Sequence, residues 1–173
     1  MAVDYGSITD STTVVAVGGA QSDNSVHFRN IRIALEGQLA TAASQASIST
    51  VVYENTEFDV SSLSKSASTI EWIMATLLPN ETTTQSLGTQ GRDFHEGIFQ
   101  IDYYCSTGIG GFNEKLDTIA NNFRKGLTLQ GGAGATLVDV KLRNVSLGVG
   151  RRDGAFFVRN IDVSYFAVTA ARS

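Results

Sequence analysis

The segment GRDFHEGIFQIDYYCSTGIGGFNEKLDTIANNFRKG, residues 91–126, decides the fold class of this chain. From residue 94 to residue 105 its side chains alternate, with Phe99, Ile101, Tyr103 and Cys105 on one side and Gln100, Asp102 and Tyr104 on the other. A period of two predicts a β-strand with one buried side. After the glycines of STGIGG, apolar residues recur at helical spacing: Phe112, Leu116, Ile119, Ala120 and Phe123. The segment therefore predicts a half-buried strand followed by an amphipathic helix.

The residues before this segment predict another helix and two more strands. Apolar side chains at spacings of three and four predict a helix over roughly residues 26–44. The β-branched run 48–53 and the apolar run 70–78 predict strands, the second of which ends at Pro79. The polar stretch that follows predicts a long exposed loop or hairpin tip over residues 80–92.

The residues after the segment predict an antiparallel hairpin. The glycine-rich LQGGAGA, residues 129–135, predicts a flexible connection. Alternating polarity in residues 136–147 and 156–168 predicts two long strands. The polar residues between them, 148–154, predict a tight connecting loop.

The order of these elements predicts an α+β fold. Strands that follow one another through short connections form a mainly antiparallel sheet, which we expect to contain four to five strands with the two helices packed on one face. Residues 1–25 are rich in Ser, Thr, Gly and Asp and predict an extended N-terminal arm. Residues 26–173 then form a single α+β domain, a size at which a substantial core is buried.

The composition argues against a membrane protein. Hydrophobic residues make up 42% of the chain and charged residues 17%, and no apolar run approaches the ~20 residues that cross a bilayer. The N-terminus lacks the basic start and apolar stretch of a signal peptide, so we expect the chain to remain in the cytoplasm where it is made. The single cysteine, Cys105, lies in an apolar strand pattern and is interpreted as a packed apolar side chain rather than a reactive thiol.

The residues that could support catalysis form no recognisable constellation. His27 and His95 have no second His or Cys at metal-ligand spacing, and we interpret them as ordinary surface or edge histidines. No serine sits in a Gly-x-Ser-x-Gly elbow, although a Ser-His-Asp arrangement stays open at this point. The stretches GIGG and GGAGA lack the Gly-Lys-Ser/Thr ending of a phosphate loop and indicate turns and caps. The sequence therefore predicts no catalytic residue, no cofactor and no metal site.

Charge is distributed unevenly along the chain, whose net charge is −4. Residues 26–91 hold three basic and six acidic residues, whereas residues 92–173 hold ten basic and eight acidic ones. An acidic front and a basic rear suit self-association, although solvated faces also differ in charge. The basic residues of the last hairpin, which include Arg159, suit a solvated face, an acidic partner or nucleic-acid phosphates. Candidate interface or channel-facing residues are Arg92, Lys141, Arg143, Arg151, Arg152 and Asp153.

Several of these segments together resemble the tail terminator, or tail completion, proteins of long-tailed bacteriophages. The resemblance covers about residues 28–168 and rests on IRIALEGQLA, on the strand exit YENTEF, on IEWIMATLLPNETTTQSLG and on the GIFQIDYY strand that leads through glycines into a helix. The arm before residue 26 departs from the shorter members of the family, so its role is the least transferable.

The resemblance implies a structural virion protein without enzymatic activity. It implies a hexameric ring that caps the head-proximal end of the tail tube, stops tube polymerisation and offers its other face to head-completion (stopper) proteins in the neck. The tail sheath protein is a further candidate partner, and DNA would pass non-specifically through the channel. We expect the loops 80–92 and 148–154 to contact adjacent rings or the channel. The protein would lie in the virion and, during assembly, in the host cytoplasm.

Three other functions stay open at this point. A head-tail stopper or adaptor would tend towards a small β-barrel or a helical bundle, and a tail-tube subunit would contain more strand and polymerise into long tubes. A small-molecule enzyme or binding module would require a deep pocket with convergent polar groups.

Overall fold

The computed structural model describes residues 24–54, 56–63, 70–84, 92–108 and 110–170. These residues form two α-helices, two short 3-10 helices and one sheet of eight strands. The helices are α1 (Asn24–Gln45) and α2 (Phe112–Asn122), and the 3-10 helices cover Val60–Ser62 and Gly134–Thr136. The strands are β1 (Val51–Tyr53), β2 (Glu71–Pro79), β3 (Thr83–Thr84), β4 (Arg92–Ser106), β5 (Thr128–Gly131), β6 (Val138–Leu147), β7 (Arg151–Asp153) and β8 (Phe156–Ala170).

The main path of the sheet runs β1-β2-β4-β8-β6-β5, with β3 added beside β4 and β7 beside β8. Its centre is the antiparallel pair of β4 and β8, which are both 15 residues long and pair over their full length. All pairs are antiparallel except that of β1 with β2, which is parallel. The prediction of a mainly antiparallel sheet is therefore confirmed.

Both helices pack on one face of this sheet. The apolar stripe of α1, which includes Ile31, Leu35 and Leu39, is fully buried against β5, β6 and α2. Leu116 and Ile119 of α2 join the same core as the odd-numbered residues of β4 and β8. Burial of these two stripes stabilises the helices, because most helical stability in proteins comes from tertiary packing of the apolar face. The other face of the sheet carries no helix among the described residues.

The predicted strand over residues 48–53 is shortened by the end of α1. The Ile48 amide donates to the Ala43 carbonyl at 2.9 Å, and Ser47 adopts the left-handed conformation with φ of 57°. This six-to-one bond with a left-handed residue is the Schellman helix ending. Ile48 is therefore part of the C-terminal cap of α1, and the strand begins only at Val51.

The predicted count of four to five strands is wrong, because the sheet contains eight. Two of the extra strands, β3 and β7, are only two and three residues long, too short to show a period in the sequence. The third, β5, lies partly in the stretch LQGGAGA that the composition marked as a flexible connection. Its Gly131 passes so close to α1 that a Cβ there would overlap the Asn30 carbonyl oxygen. These glycines allow a strand to approach a helix backbone and do not form a flexible linker.

The predicted loop 148–154 is also largely ordered. β7 continues the line of β6 along the same edge of β8, since Leu147 pairs with Ile161 and Arg151 with Val158. Between β6 and β7, residues 148–150 interrupt the ladder as a bulge, and the chain reverses at Gly154, whose φ is 58°. The last hairpin is thus a single long ribbon that runs to its tip.

Two sequence predictions fall mostly outside the described residues. Of the predicted arm, residues 1–25, only the last two belong to the described part, where they form the first turn of α1. Of the predicted loop 80–92, residues 85–91 lie outside the described ranges, whereas Thr83 and Thr84 pair with β4. The division into an arm and one domain therefore stays a prediction.

Candidate assembly surfaces

The basic residues of the last hairpin do not form one patch. Lys141 lies beside Phe166 of β8, whereas Arg151 lies beside Val158. Phe166 and Val158 are eight residues apart on β8, which corresponds to about 27 Å along the strand. The hairpin therefore carries two separate basic groups, one near each end of the sheet.

Arg143, in the first group, is engaged within its own chain. Its guanidinium contacts the Glu96 carboxylate at 2.5 Å and lies 4.7 Å from the centre of the Phe166 ring and 5.2 Å from that of Phe94. Cation–π contacts and a paired carboxylate hold a guanidinium in one orientation. Arg143 therefore stabilises the open face of the sheet, and about half of its side chain remains accessible.

The other two basic candidates near this end of the sheet are exposed. Lys141 lies on β6 and Arg92 at the first position of β4, opposite Ala170. Along β4, Arg92 is four residues from Glu96, or about 13 Å. The structure thus brings Arg143 to Glu96 but does not bring Arg92 into the same contact.

The second group lies at the hairpin tip. Arg151, Arg152 and Asp153 are all exposed in β7. Burial and the carboxylates of Asp102 and Asp153 raise the pKa of the Tyr104 phenol on β4, and the nearby Arg151 partly opposes this rise. Arg151 therefore faces the open side of the sheet, while Arg152, one residue on, faces the opposite side.

Between these groups, the bulge at residues 148–150 presents an apolar side chain to solvent. Val149 is 90% exposed, more than any other large apolar residue described. The glycine on each side is closely packed, since a Cβ at Gly148 would displace the Asn160 side-chain amide and one at Gly150 would displace the Phe157 ring. The bulge is also bonded to β8, because the Gly148 amide donates to the Asn160 carbonyl at 2.9 Å and the Arg159 Nε donates to the Gly148 carbonyl at 2.8 Å. Val149 is therefore held outward by a packed backbone.

Aromatic side chains cross the open face at the level of the hairpin tip. Trp72 of β2 stacks on Tyr104 with ring centres 4.7 Å apart, and its edge meets Phe156 of β8 at 4.7 Å. Phe58, in the segment after β1, lies 5.7 Å from the same indole. This row connects the segment after β1 to the tip of the last hairpin.

The two histidines lie together in the structure, 68 positions apart in the chain. Their ring centres are 6.0 Å apart, and both are buried, so the interpretation as surface or edge histidines is wrong. His95 hydrogen-bonds to Thr82 at 3.1 Å and to Thr169 at 2.9 Å. Burial and the neighbouring His27 lower the pKa of His95 below its usual value. Sequence spacing could not reveal this pair, because α1 and β4 meet only in the tertiary fold.

Cys105 is buried in the core, as the strand pattern predicted. Burial raises the pKa of its thiol, which suppresses the reactive thiolate at neutral pH. Within the described ranges, no group of three or more His, Cys, Asp or Glu side chains could hold a metal ion. Neither α1 nor α2 is long and apolar enough to cross a membrane.

Comparisons with known proteins point to one family. The family model described as phage tail terminator protein matches residues 30–165, a range that begins in α1 and ends in β8. A solved structure of 19% sequence identity superposes with a TM-score of 0.61 and covers 88% of this chain and 99% of its own. At this identity the likeness concerns the fold alone. No curated protein matches the chain.

Proposed function

Because its residues 30–165 match the family model, this chain belongs to the phage tail terminator family, and we propose that it forms a ring that closes the head-proximal end of the tail tube. The family makes the chain a structural component of the phage tail and hence of the virion. The proposed ring is a hexamer. It binds the last ring of tail-tube subunits, stops further polymerisation and performs no chemical reaction.

The two faces of the proposed ring bind different partners. One face meets the tail tube, the other meets the head-completion protein of the neck, and a sheath protein is a candidate third partner. DNA passes through the channel without sequence-specific contacts. Assembly takes place in the host cytoplasm before the finished virion is released.

The family match carries this proposal, and the architecture supports it physically. A ring of identical subunits requires two different complementary patches on each subunit, because head-to-tail contacts are heterologous. The sheet has two different edges, one formed by β1 and the other by β5 and β7, and one of its faces carries no α-helix among the described residues. Such a rigid sheet can position loop tips for recognition, so the ordered hairpin tip and the β3 segment are the candidate contacts with adjacent rings or the channel.

Electron microscopy of the purified protein, alone and mixed with tail-tube subunits, tests the proposal, with masses measured by light scattering on the same samples. We expect closed rings, or tubes that are capped at one end and limited in length. Long uncapped tubes made of this protein alone would identify it as a tube subunit. A monomer that leaves tube length unchanged would overturn the proposal.

A further inference from the structure

The hairpin tip gives one edge of the sheet a basic and apolar character. We define the basic edge as Val149, Arg151 and Arg152, which are all exposed on the bulge and on β7 and whose two positive charges outnumber the single negative charge of the adjacent Asp153. β5 pairs with β6 only at residues 138–141, so β7 has no outer neighbour among the described strands. The basic edge is therefore open to a partner on its outer side.

The opposite edge of the sheet has the complementary character. We define the acidic edge as Glu57, Phe58, Asp59 and Val60, in the segment that follows β1. Glu57 and Asp59 are exposed, and the two apolar side chains beside them are partly exposed. Hydrogen bonds from Ser61 lower the pKa of Asp59, so this carboxylate is charged at neutral pH.

The two edges lie at the same level of the sheet. Phe58 contacts Trp72, and the strand register continues from Trp72 to Tyr104 and Val158, and then to Arg151. Three strand spacings, about 14 Å, separate β2 from β7 along this row. The aromatic contacts of Trp72 across β4 and β8 make the row a rigid connection between the edges.

We infer that the basic edge of one copy of this chain docks against the acidic edge of the next copy. The inference rests on the ring proposed above and identifies the surface that closes it. Patches at equal height along the strands let the contact repeat around an axis parallel to the strands without a step along that axis, which is one requirement for a closed ring; the other is that the rotation from one copy to the next closes on itself. Opposite charges steer the two edges together, and a second copy is the occupant because this same chain carries both edges.

Val149 is the apolar centre of this contact. An exposed valine followed along the chain by two exposed arginines matches the usual interface pattern of an apolar core beside a polar rim. The partly exposed Phe58 and Val60, which alternate along the chain with the carboxylates of Glu57 and Asp59, offer Val149 an apolar contact surface. The hydrogen bonds of Gly148 to β8 hold the bulge backbone in place before any partner arrives, which reduces the ordering cost of docking.

Charge reversal of each edge tests the docking. Arg151→Glu with Arg152→Glu makes the first edge acidic, and Thr56→Lys with Glu57→Lys makes the second edge basic while the Asp59 cap is kept. We expect either double variant to stay monomeric at concentrations where the unchanged chain forms rings, with or without tail-tube subunits. Arg124→Glu with Lys125→Glu is the matched control, since it reverses two adjacent exposed cations beyond α2. We expect this control to form rings normally.

Mixing the two edge variants provides the decisive measurement. Within each variant alone, both edges carry the same sign of charge and repel each other. In an equimolar mixture, the edge that has become acidic in one variant meets the edge that has become basic in the other, and these two edges attract each other. An even-membered ring such as the proposed hexamer can then close by alternating the two variants. We expect rings to return only in the mixture, and to weaken as salt screens the charges. Rings from either variant alone at the usual concentration, or none from the mixture of folded variants, would overturn the docking.

Val149→Asp tests the apolar centre separately. We expect it to raise the protein concentration for half-assembly at least tenfold, because a buried valine contributes that much to an association. Leu137→Asp, at an exposed apolar position near the other end of the sheet, should leave that concentration unchanged.

Circular dichroism checks that every variant is folded. Failure of the unchanged chain to form rings in any sample would refute the proposed function itself, whereas unchanged rings in all edge variants would refute only this interface.

Discussion

The passage of β5 beneath α1 supports one sharp prediction about stability. A Cβ added at Gly131 would overlap the Asn30 carbonyl oxygen and lie 3.0 Å from the Ala34 amide nitrogen. Both obstacles are helix backbone, which cannot rotate away as a flexible side chain can. Gly131 has no positive φ, so alanine is compatible with its backbone conformation and the cost is one of space. Gly131→Ala must therefore push α1 away from the sheet.

The loss in free energy of unfolding can be estimated from the contacts that this displacement of α1 weakens. An atom pair at ordinary contact is about 3.5 Å apart, so the helix must retreat by about 1 Å or more. Ile31 and Leu35, fully buried on the same turns, would then lose close packing, and the bond from Asn30 Nδ2 to the Thr136 carbonyl, 2.6 Å long, would stretch. Overpacking of a core costs roughly 1–3 kcal/mol, and rigid obstacles place this change near 3 kcal/mol. For a chain of this length, that lowers Tm by about 6–12 °C.

The change in the free energy of unfolding is measured by chemical denaturation, monitored through the fluorescence of Trp72, the only tryptophan in the chain. Gly37→Ala is the matched control, because Gly37 is an exposed position of α1 with nothing within 4 Å of an added Cβ. That control should gain about 0.5–1 kcal/mol from helix propensity. All samples are compared at one protein concentration, since association contributes to apparent stability. A free energy of unfolding for Gly131→Ala within about 0.5 kcal/mol of the unchanged chain would refute the reasoning.

Two further predictions concern the buried histidine and the ordered arginine. The lowered pKa of His95 means that the unfolded chain binds its proton more readily, so stability is complete above pH ~6.5 and falls on acidification by at most about 1.4 kcal/mol per pH unit. Urea unfolding between pH 7.5 and 5.5 should show this slope, and His95→Gln should reduce it; an equal slope in both proteins would contradict the assignment. Arg143→Met should cost about 1–2 kcal/mol through loss of its contacts with Glu96, Phe94 and Phe166, discounted for partial exposure. Arg143→Lys should lose less in the same urea titration, and an unchanged midpoint for Arg143→Met would show that these contacts contribute nothing.

Local patterns in the sequence were sufficient for the principal elements. Alternation over residues 94–105 predicted β4 to within two residues of its observed ends. The apolar stripe of Ile31, Leu35 and Leu39 predicted α1, and the motifs around these elements indicated the family that the comparison confirms. These features are local because strand and helix periods are set by backbone geometry, so they are visible in the chain itself.

The tertiary structure alone decided which of these elements share a surface. The sequence grouped Lys141, Arg143, Arg151 and Arg152 as neighbours, but the extended hairpin places the first two about 27 Å from the last two. It separated Glu57 from Arg151 by more than half of the chain, whereas the order of the strands sets them on opposite edges of one row. β5 likewise depends on contacts with distant elements, since it pairs with β6 and its Gly131 approaches the backbone of α1. Sheet order and helix packing depend on contacts between distant residues, which no local period records.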